Sequence, residues 1–372
     1  MRGHQAAAIL RAMNLKPDRL QHIERSLELA LNQEWPQLIR AQRQLTDLQP
    51  TPIRAESESI AKIPVVATVA TDGGENRLNL DPIRIEVLRV ADSNGEIYFE
   101  DFIPLSLTPE EILRFYFKSE PRLQKFLDWL GCGWDAVVPR TDFQRGNLFG
   151  MLRELLEWAA LLRLAARPPA KLLIRDGLLR SVGLSDELFQ ALRRRLEELT
   201  RRHGHLVVGV AKRSKVLNYL TVALGLHEGL KGEQPFYVPI PRPLEREAAP
   251  AQYRWMTERA MGQLYVARLD EGPNVPLFPI DLAAWQTDRA AEAMALLRES
   301  ARGGFPVRGY PIPLLQAHEH ARLRGFEIEM LEQMLLGQLA ARDPAVANEA
   351  RLLKLFGRRL AEESADEPNT QA

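Results

Sequence analysis

Residues 63–75 read IPVVATVATDGGE, and the rest of the chain is organised around them. Ile63, Val65, Val66, Thr68 and Val69 make the run dense in β-branched side chains, which fit a pleated, buried surface, so a central strand is expected. That strand is expected to stop at Asp72-Gly73-Gly74, placing a carboxylate where it emerges, beside glycines that let backbone or ligand come close. Residues 171–177, KLLIRDG, repeat the design, an apolar run ending in Asp176-Gly177. Two neighbouring strands that each deliver an aspartate would form one metal site. Taken singly, each Asp-Gly is equally a hairpin turn, for which this dipeptide is the strongest short signal.

Working outward, residues 1 to about 50 read as helices, with apolar Leu20, Ile23, Leu27 and Leu31 near helical spacing and Pro36 expected to interrupt or kink them. Pro50, Pro52 and the polar ESES after them read as a linker. After the pivotal strand, residues 83–90 (IRIEVLRV) and 96–104 (EIYFEDFIP) supply two more extended segments, predicting an antiparallel meander. From Thr108 to about Arg167 the pattern is helical, opened by Thr108, Pro109, Glu110 and Glu111. Residues 149–166 are apolar nearly all round, which predicts a helix buried on most sides. The strand at 171–174 follows, then an amphipathic helix at 185–202 and a strand at 205–211, parallel to its predecessor by the strand–helix–strand rule. Further strands are expected at 236–239, 263–269 and 275–280, and helices at 282–300, 313–324, 328–340 and 344–363 before a polar tail expected to be disordered.

Three antiparallel strands followed by strand–helix–strand predict an α/β fold, a ribonuclease-H-like mixed sheet with a helical N-terminal segment, a helical insertion and C-terminal helices. The expected divisions are 1–60, a core at 61–325 with the insertion at about 108–167, and 326–372. In such a sheet the first strand lies at the centre beside the fourth, which would join Asp72 to Asp176.

The 372 residues, 45% hydrophobic and 26% charged, suit an ordinary globular chain with a sizeable core. No apolar run approaches the roughly 18 residues of a membrane span, and the N-terminal residues turn polar too soon for a secretory signal. Cys132 is the sole cysteine, which excludes a disulfide framework and a cysteine-based zinc site, and a cytoplasmic protein is expected. A formal net charge of zero leaves room only for a local basic patch toward nucleic acid. The sequence has no P-loop, nucleophile elbow, HExxH or GxGxxG motif.

A Mg²⁺ or Mn²⁺ site takes hard oxygen ligands, so a third carboxylate is expected beside Asp72 and Asp176. Glu154 and Glu157 offer one from the apolar helix, where a glutamate is costly unless paired or metal-bound. An i, i+4 ion pair of Arg153 with Glu157 is the competing reading. His318 shares a helical face with Leu314 and Ala321, a pattern that also suits a core histidine, and Tyr310 reads as a turn aromatic. Lys212, Arg213 and Lys215 at a strand exit either hold phosphates or form a solvated loop. His203-Gly204-His205 reads as a loop rather than a metal pair.

Taken in order, VVATVATDGG, KLLIRDGLLR, VVGVAKRSK, FPID and YPIPLLQAH resemble the NurA nuclease family from about residue 60 to 325. The resemblance implies a ribonuclease-H-like homodimer that cleaves DNA with Mn²⁺, Mg²⁺ being a possible alternative. It implies single-strand endonuclease and 5′–3′ exonuclease action alongside a HerA-type hexameric ATPase, in DNA end resection and double-strand break repair. Asp72, Asp176, Tyr310 and His318 fall on the family's motif positions, with Asp72, Asp176 and His318 as metal ligands and Lys212 near phosphate. The family's glutamate falls on Glu157 or, one turn earlier, Glu154. A second glycine follows Gly73 where a small hydroxyl residue is expected. Two other readings remain: a non-catalytic adaptor of the ATPase ring, and another ribonuclease-H-like nuclease such as a junction resolvase.

Overall fold

The computed structural model describes residues 17–45, 48–54, 63–119, 121–181, 183–212, 234–248, 259–272 and 275–366. The expectations for residues 1–16, for the ESES linker and for the final residues lie outside them. In chain order the elements used below are α1 (Pro17–Leu45), β1 (Thr51–Pro52), β2 (Ala67–Leu80), β3 (Ile83–Asp92), β4 (Ile97–Pro104), α2 (Pro109–Ser119), α3 (Pro121–Leu130) and α4 (Leu148–Ala165). There follow β5 (Lys171–Asp176), α5 (Asp186–His203), β6 (Leu206–Val210), β7 (Phe236–Pro239), α6 (Arg242–Ala248), β8 (Gly262–Arg268) and β9 (Phe278–Ala283). The C-terminal helices are α7 (Ala290–Ala301), α8 (Ile312–Ala321), α9 (Gly325–Arg342) and α10 (Pro344–Asp366).

The β-strands form one nine-stranded mixed sheet in the order β1-β7-β8-β9-β6-β5-β2-β3-β4. β2, β3 and β4 are the antiparallel meander, β5 lies parallel to β2, and β6 lies parallel to β5. The expected neighbourhood of the first long strand and the fourth is therefore present. Several boundaries differ from the sequence reading. β2 does not stop at the Asp-Gly-Gly: it pairs with β3 continuously from Thr71↔Asp92 to Leu80↔Ile83. What ends at Thr71↔Arg175 is its parallel pairing with β5. The glycines are paired strand residues and not a turn. Asp176 is the last residue of β5, and the chain bends just past it at Gly177, with φ +99°. Helix α1 runs on past Pro36, β2 begins at Ala67, after Ile63, Val65 and Val66, and the last strand begins at Phe278 rather than Val275.

Helix ends follow local chemistry. Ser185 Oγ caps α5 by accepting from Leu188 N at 3.4 Å, and Gly204 ends it in the left-handed region at φ 72°. Thr108 and Glu111 close a reciprocal box at the start of α2, each side chain accepting from the other's backbone N–H.

The sheet has an apolar core on each face, and the period of two decides which residue looks where. Val69, Leu173 and Val207 pack on one side with Leu155, Leu156 and Trp158 of α4. Ala70, Leu172, Ile174 and Val208 pack on the other with Met294 and Leu297 of α7 and Leu314 and Ala317 of α8. This layering explains why α4 is apolar all round: it lies between the sheet and α5. Among the described residues no helix is long and apolar enough to cross a membrane.

Candidate metal centre

Asp72 and Asp176 share strand parity with Ala70 and Ile174, so they belong to the face covered by α8. Both stand where β2 and β5 part, past the last paired position Thr71↔Arg175. His318, on α8, meets them there: its Nδ1 lies 2.7 Å from Asp72 Oδ2. An ionised carboxylate only accepts, so in this contact Nδ1 is the donor, and Nε2 is the ring's other nitrogen. One ligand atom from each of Asp72, Asp176 and His318 lies within 4.8 Å of the others.

Burial, then the charge of Asp72, raises the pKa of Asp176, while Lys212 opposes the shift. Lys212 Nζ lies 3.2 Å from Asp176 Oδ2 and 5.3 Å from the centre of the Tyr310 ring. Tyr310 is buried against Phe278, and its hydroxyl has no aligned hydrogen-bond partner among the described residues. Burial and then the charges of Asp176 and Asp72 push that hydroxyl above its ordinary range, so it stays protonated and available as a donor. Thus the sequence candidates Asp72, Asp176, His318, Lys212 and Tyr310 converge. Arg213 and Lys215 lie outside the described residues.

Glu157 is placed differently. It reaches the sheet from the α4 face, where Arg175 Nη2 donates to its Oε2 at 2.7 Å and Arg153 stands 3.6 Å from its Oε1. It therefore lies outside the three-residue ligand group, although Asp72 is near enough to act on its charge. Burial, only partly offset by Arg175 and Arg153, pushes Glu157 up to about 7. Its approach depends on Gly73: a Cβ there would fall 2.6 Å from Glu157 Oε1. Glu154 turns the other way, accepting from Gly183 N at 3.2 Å. Of the two helical carboxylates, Glu157 is thus the one beside the strand that carries Asp72.

Arg175 was not singled out from the sequence, yet parity contained it: it precedes Asp176 and must face the opposite side, toward α4. Its guanidinium also lies 4.8 Å above the Trp158 ring. The His203-Gly204-His205 segment is a helix end, and buried His205 accepts from Lys171 N at 2.9 Å, a structural contact.

The donor set fits a divalent ion. Two carboxylates and one imidazole match the hard and borderline ligands that Mn²⁺ takes, and clustered carboxylates facing one another gain from a cation between them.

A family model described as the NurA domain matches residues 66–323. No curated protein matches the chain. Among solved structures, the chain is similar to the NurA nuclease from Sulfolobus solfataricus at 16% identity and a TM-score of 0.45, covering 87% of this chain and 97% of that one. A crystal structure of NurA shares 13% identity at a TM-score of 0.46, with coverage of 88% and 99%. NurA bound to dAMP and manganese shares 12% identity at a TM-score of 0.35, with coverage of 83% and 94%.

Proposed function

The chain belongs to the NurA domain family, and from that premise we propose that it is a metal-dependent DNA nuclease whose centre is Asp72, Asp176 and His318. The observation that carries this reading is the convergence of those three side chains at the point where two central strands diverge. Mn²⁺ is the favoured ion and Mg²⁺ the alternative. When bound, such an ion supplies Lewis acidity toward a phosphoryl oxygen and lowers the pKa of water.

The chain's own groups then divide the remaining work. Asp72 and Asp176 hold the cation, and without one they repel a phosphodiester. His318, oriented by its hydrogen bond to Asp72, presents Nε2 as a ligand or a proton acceptor. Lys212 balances Asp176 in the resting site and turns to a phosphate oxygen when DNA arrives; its half-exposed side chain leaves that movement open. Tyr310 donates from a protonated hydroxyl to a phosphate or an attacking water. Glu157, held between Arg153 and Arg175 behind the strand, completes the site as a third carboxylate when it turns toward Asp72.

In this reading the activity covers single-strand endonuclease and 5′–3′ exonuclease cleavage. The working assembly is a homodimer docked on a HerA-type hexameric ATPase, in DNA end resection and double-strand break repair. These finer features rest on family membership.

The test is cleavage of end-labelled single- and double-stranded DNA in EDTA, Mg²⁺ or Mn²⁺, comparing the wild type with Asp176→Asn. Metal-dependent products that disappear in a folded Asp176→Asn variant are expected. Undiminished cleavage by that variant would overturn the site. No cleavage by the wild type under any metal, even with the ATPase present, would favour the non-catalytic adaptor.

A further inference from the structure

Two residues outside the metal centre, Gly74 and Arg89, meet the end of α8, the helix that carries His318 to Asp72. Gly74 and Arg89 face each other across the β2–β3 ladder. A Cβ on Gly74 would lie 2.0 Å from the carbonyl oxygen of Ala321 and 2.7 Å from its carbonyl carbon. Those are backbone atoms, which no rotamer change moves aside. Gly74 is therefore the point where the last turn of α8 sits directly on the strand.

Arg89 is buried, and its guanidinium donates to three residues. Nη1 donates to the Arg322 carbonyl oxygen at 3.3 Å, Nη2 to Glu327 Oε1 at 2.7 Å, and Nε to Glu100 Oε1 at 2.7 Å. Glu327 in turn accepts from Arg324 N at 2.7 Å, closing the start of α9. One side chain thus ties β4 to the residue after α8 and to the first turn of α9. His318 is one turn back from that tie, and its carbonyl accepts from Arg322 N at 3.2 Å.

We propose that Gly74 and Arg89 are positioning residues for His318, seating the end of α8 so that the imidazole meets the Asp72 carboxylate. The inference rests on the metal centre described above. Its lever arm is short. Ordinary van der Waals contact begins near 3.4 Å, so a side chain at Gly74 would lift the Ala321 carbonyl by more than an ångström. The same displacement at His318 would carry its 2.7 Å hydrogen bond out of range.

The experiment measures Mn²⁺ affinity of the full chain without DNA, by electron paramagnetic resonance, for wild type, Arg89→Gln, His318→Ala and the double variant. Unfolding in EDTA confirms that each is folded. Arg89→Gln is expected to weaken Mn²⁺ binding about 10-fold, the scale seen when a group that orients a metal ligand is lost. In the His318→Ala background the same change should do little, because the residue it positions is gone. Arg89→Lys, which keeps the charge and some donors, should recover part of the affinity, and Gly74→Ala should lose more than Arg89→Gln. Unchanged Mn²⁺ affinity in Arg89→Gln, or an equal loss with and without His318, would overturn the inference. A wild type that binds no Mn²⁺ would overturn the metal centre itself. A wild type that binds Mn²⁺ yet cuts no DNA would overturn only the nuclease reading, and the affinity comparison would still stand.

Discussion

Replacing Gly73 with alanine tests the packing that brings Glu157 to the sheet. The new Cβ would lie 2.6 Å from Glu157 Oε1, 2.7 Å from Arg153 Cγ and 3.0 Å from Glu157 Cγ. Relief to ordinary contact requires these atoms to retreat by roughly 0.4–0.8 Å. Neither neighbour retreats freely: Glu157 is held at 2.7 Å by Arg175, and the crowded carbons lie midway along their side chains. Overpacking of this kind costs about 1–3 kcal/mol, and restricting the unfolded chain returns only about 0.4–1 kcal/mol. A net loss of about 1–2 kcal/mol follows, which lowers the melting temperature by a few degrees in a chain of this size. The assay is chemical unfolding in EDTA of Gly73→Ala, Glu157→Ala and the double variant. Because truncating Glu157 removes two of the three close contacts, the alanine at 73 should cost about 1 kcal/mol less in that background. A Gly73→Ala variant as stable as the parent, or a penalty indifferent to Glu157, would refute the packing argument.

Two further predictions come from buried charge. Glu157 is pushed up to about 7 from an ordinary 4.5, so the folded state binds its proton more tightly than the unfolded chain does. The stabilisation this gives is complete below pH 4.5 and fades as the pH rises toward 7. Between pH 5 and 8 the wild type should therefore lose up to ~3 kcal/mol relative to Glu157→Gln, and a gap that stays constant in urea unfolding would sink the assignment. On the other half of the sheet, Asp281 of the FPID segment accepts from buried Arg180 at 2.8 Å through both Nε and Nη2, and Glu245 pairs with the same guanidinium. Asp281→Asn would leave that cation short of one counter-charge, so a loss of about 3 kcal/mol is expected, and a shift below ~1 kcal/mol would count against it.

The central strands were legible because their signals are local. The helix starts at Ser185 and Thr108 are each written within a few residues and appear where the pattern put them, but the β-branched run did not mark where its strand begins: β2 starts at Ala67, after Ile63, Val65 and Val66. Their places at the exits of β2 and β5 also sufficed to join Asp72 to Asp176 once the two strands were taken as neighbours. The error at Gly73-Gly74 has a physical origin. Asp-Gly is a turn signal when the chain must reverse, but here glycine is required because α4 and α8 come close to opposite sides of the same strand. Nothing local encodes the arrival of two helices from far along the chain. Arg89 was hidden for the same reason. A lone arginine between Leu88 and Val90 gives no hint that its acceptors come from residues 322 and 327.

That β2 continues past its aspartate has a consequence for how the centre is assembled. Had the strand stopped at Asp72, the carboxylate would sit on a loop, and its position would depend on that loop's order. Instead Asp72 is a ladder residue opposite Ala91, and the glycines after it are fixed by pairing with Val90 and Arg89. Successive positions then address alternate faces. Gly73 admits Glu157 from the α4 side, and Gly74 admits the end of α8, with His318 one turn back, from the other. The strand works as a rack on which each helix is set at a depth determined by a missing side chain. The height of His318 over Asp72 is thus set by backbone contact at Gly74, whereas Glu157 meets Gly73 through its own side-chain atoms, and changes at the two glycines should disturb the site through different helices. Alanine at 73 should act through Glu157 and spare the His318–Asp72 hydrogen bond, whereas alanine at 74 should break that bond and leave the Glu157–Arg175 pair in place.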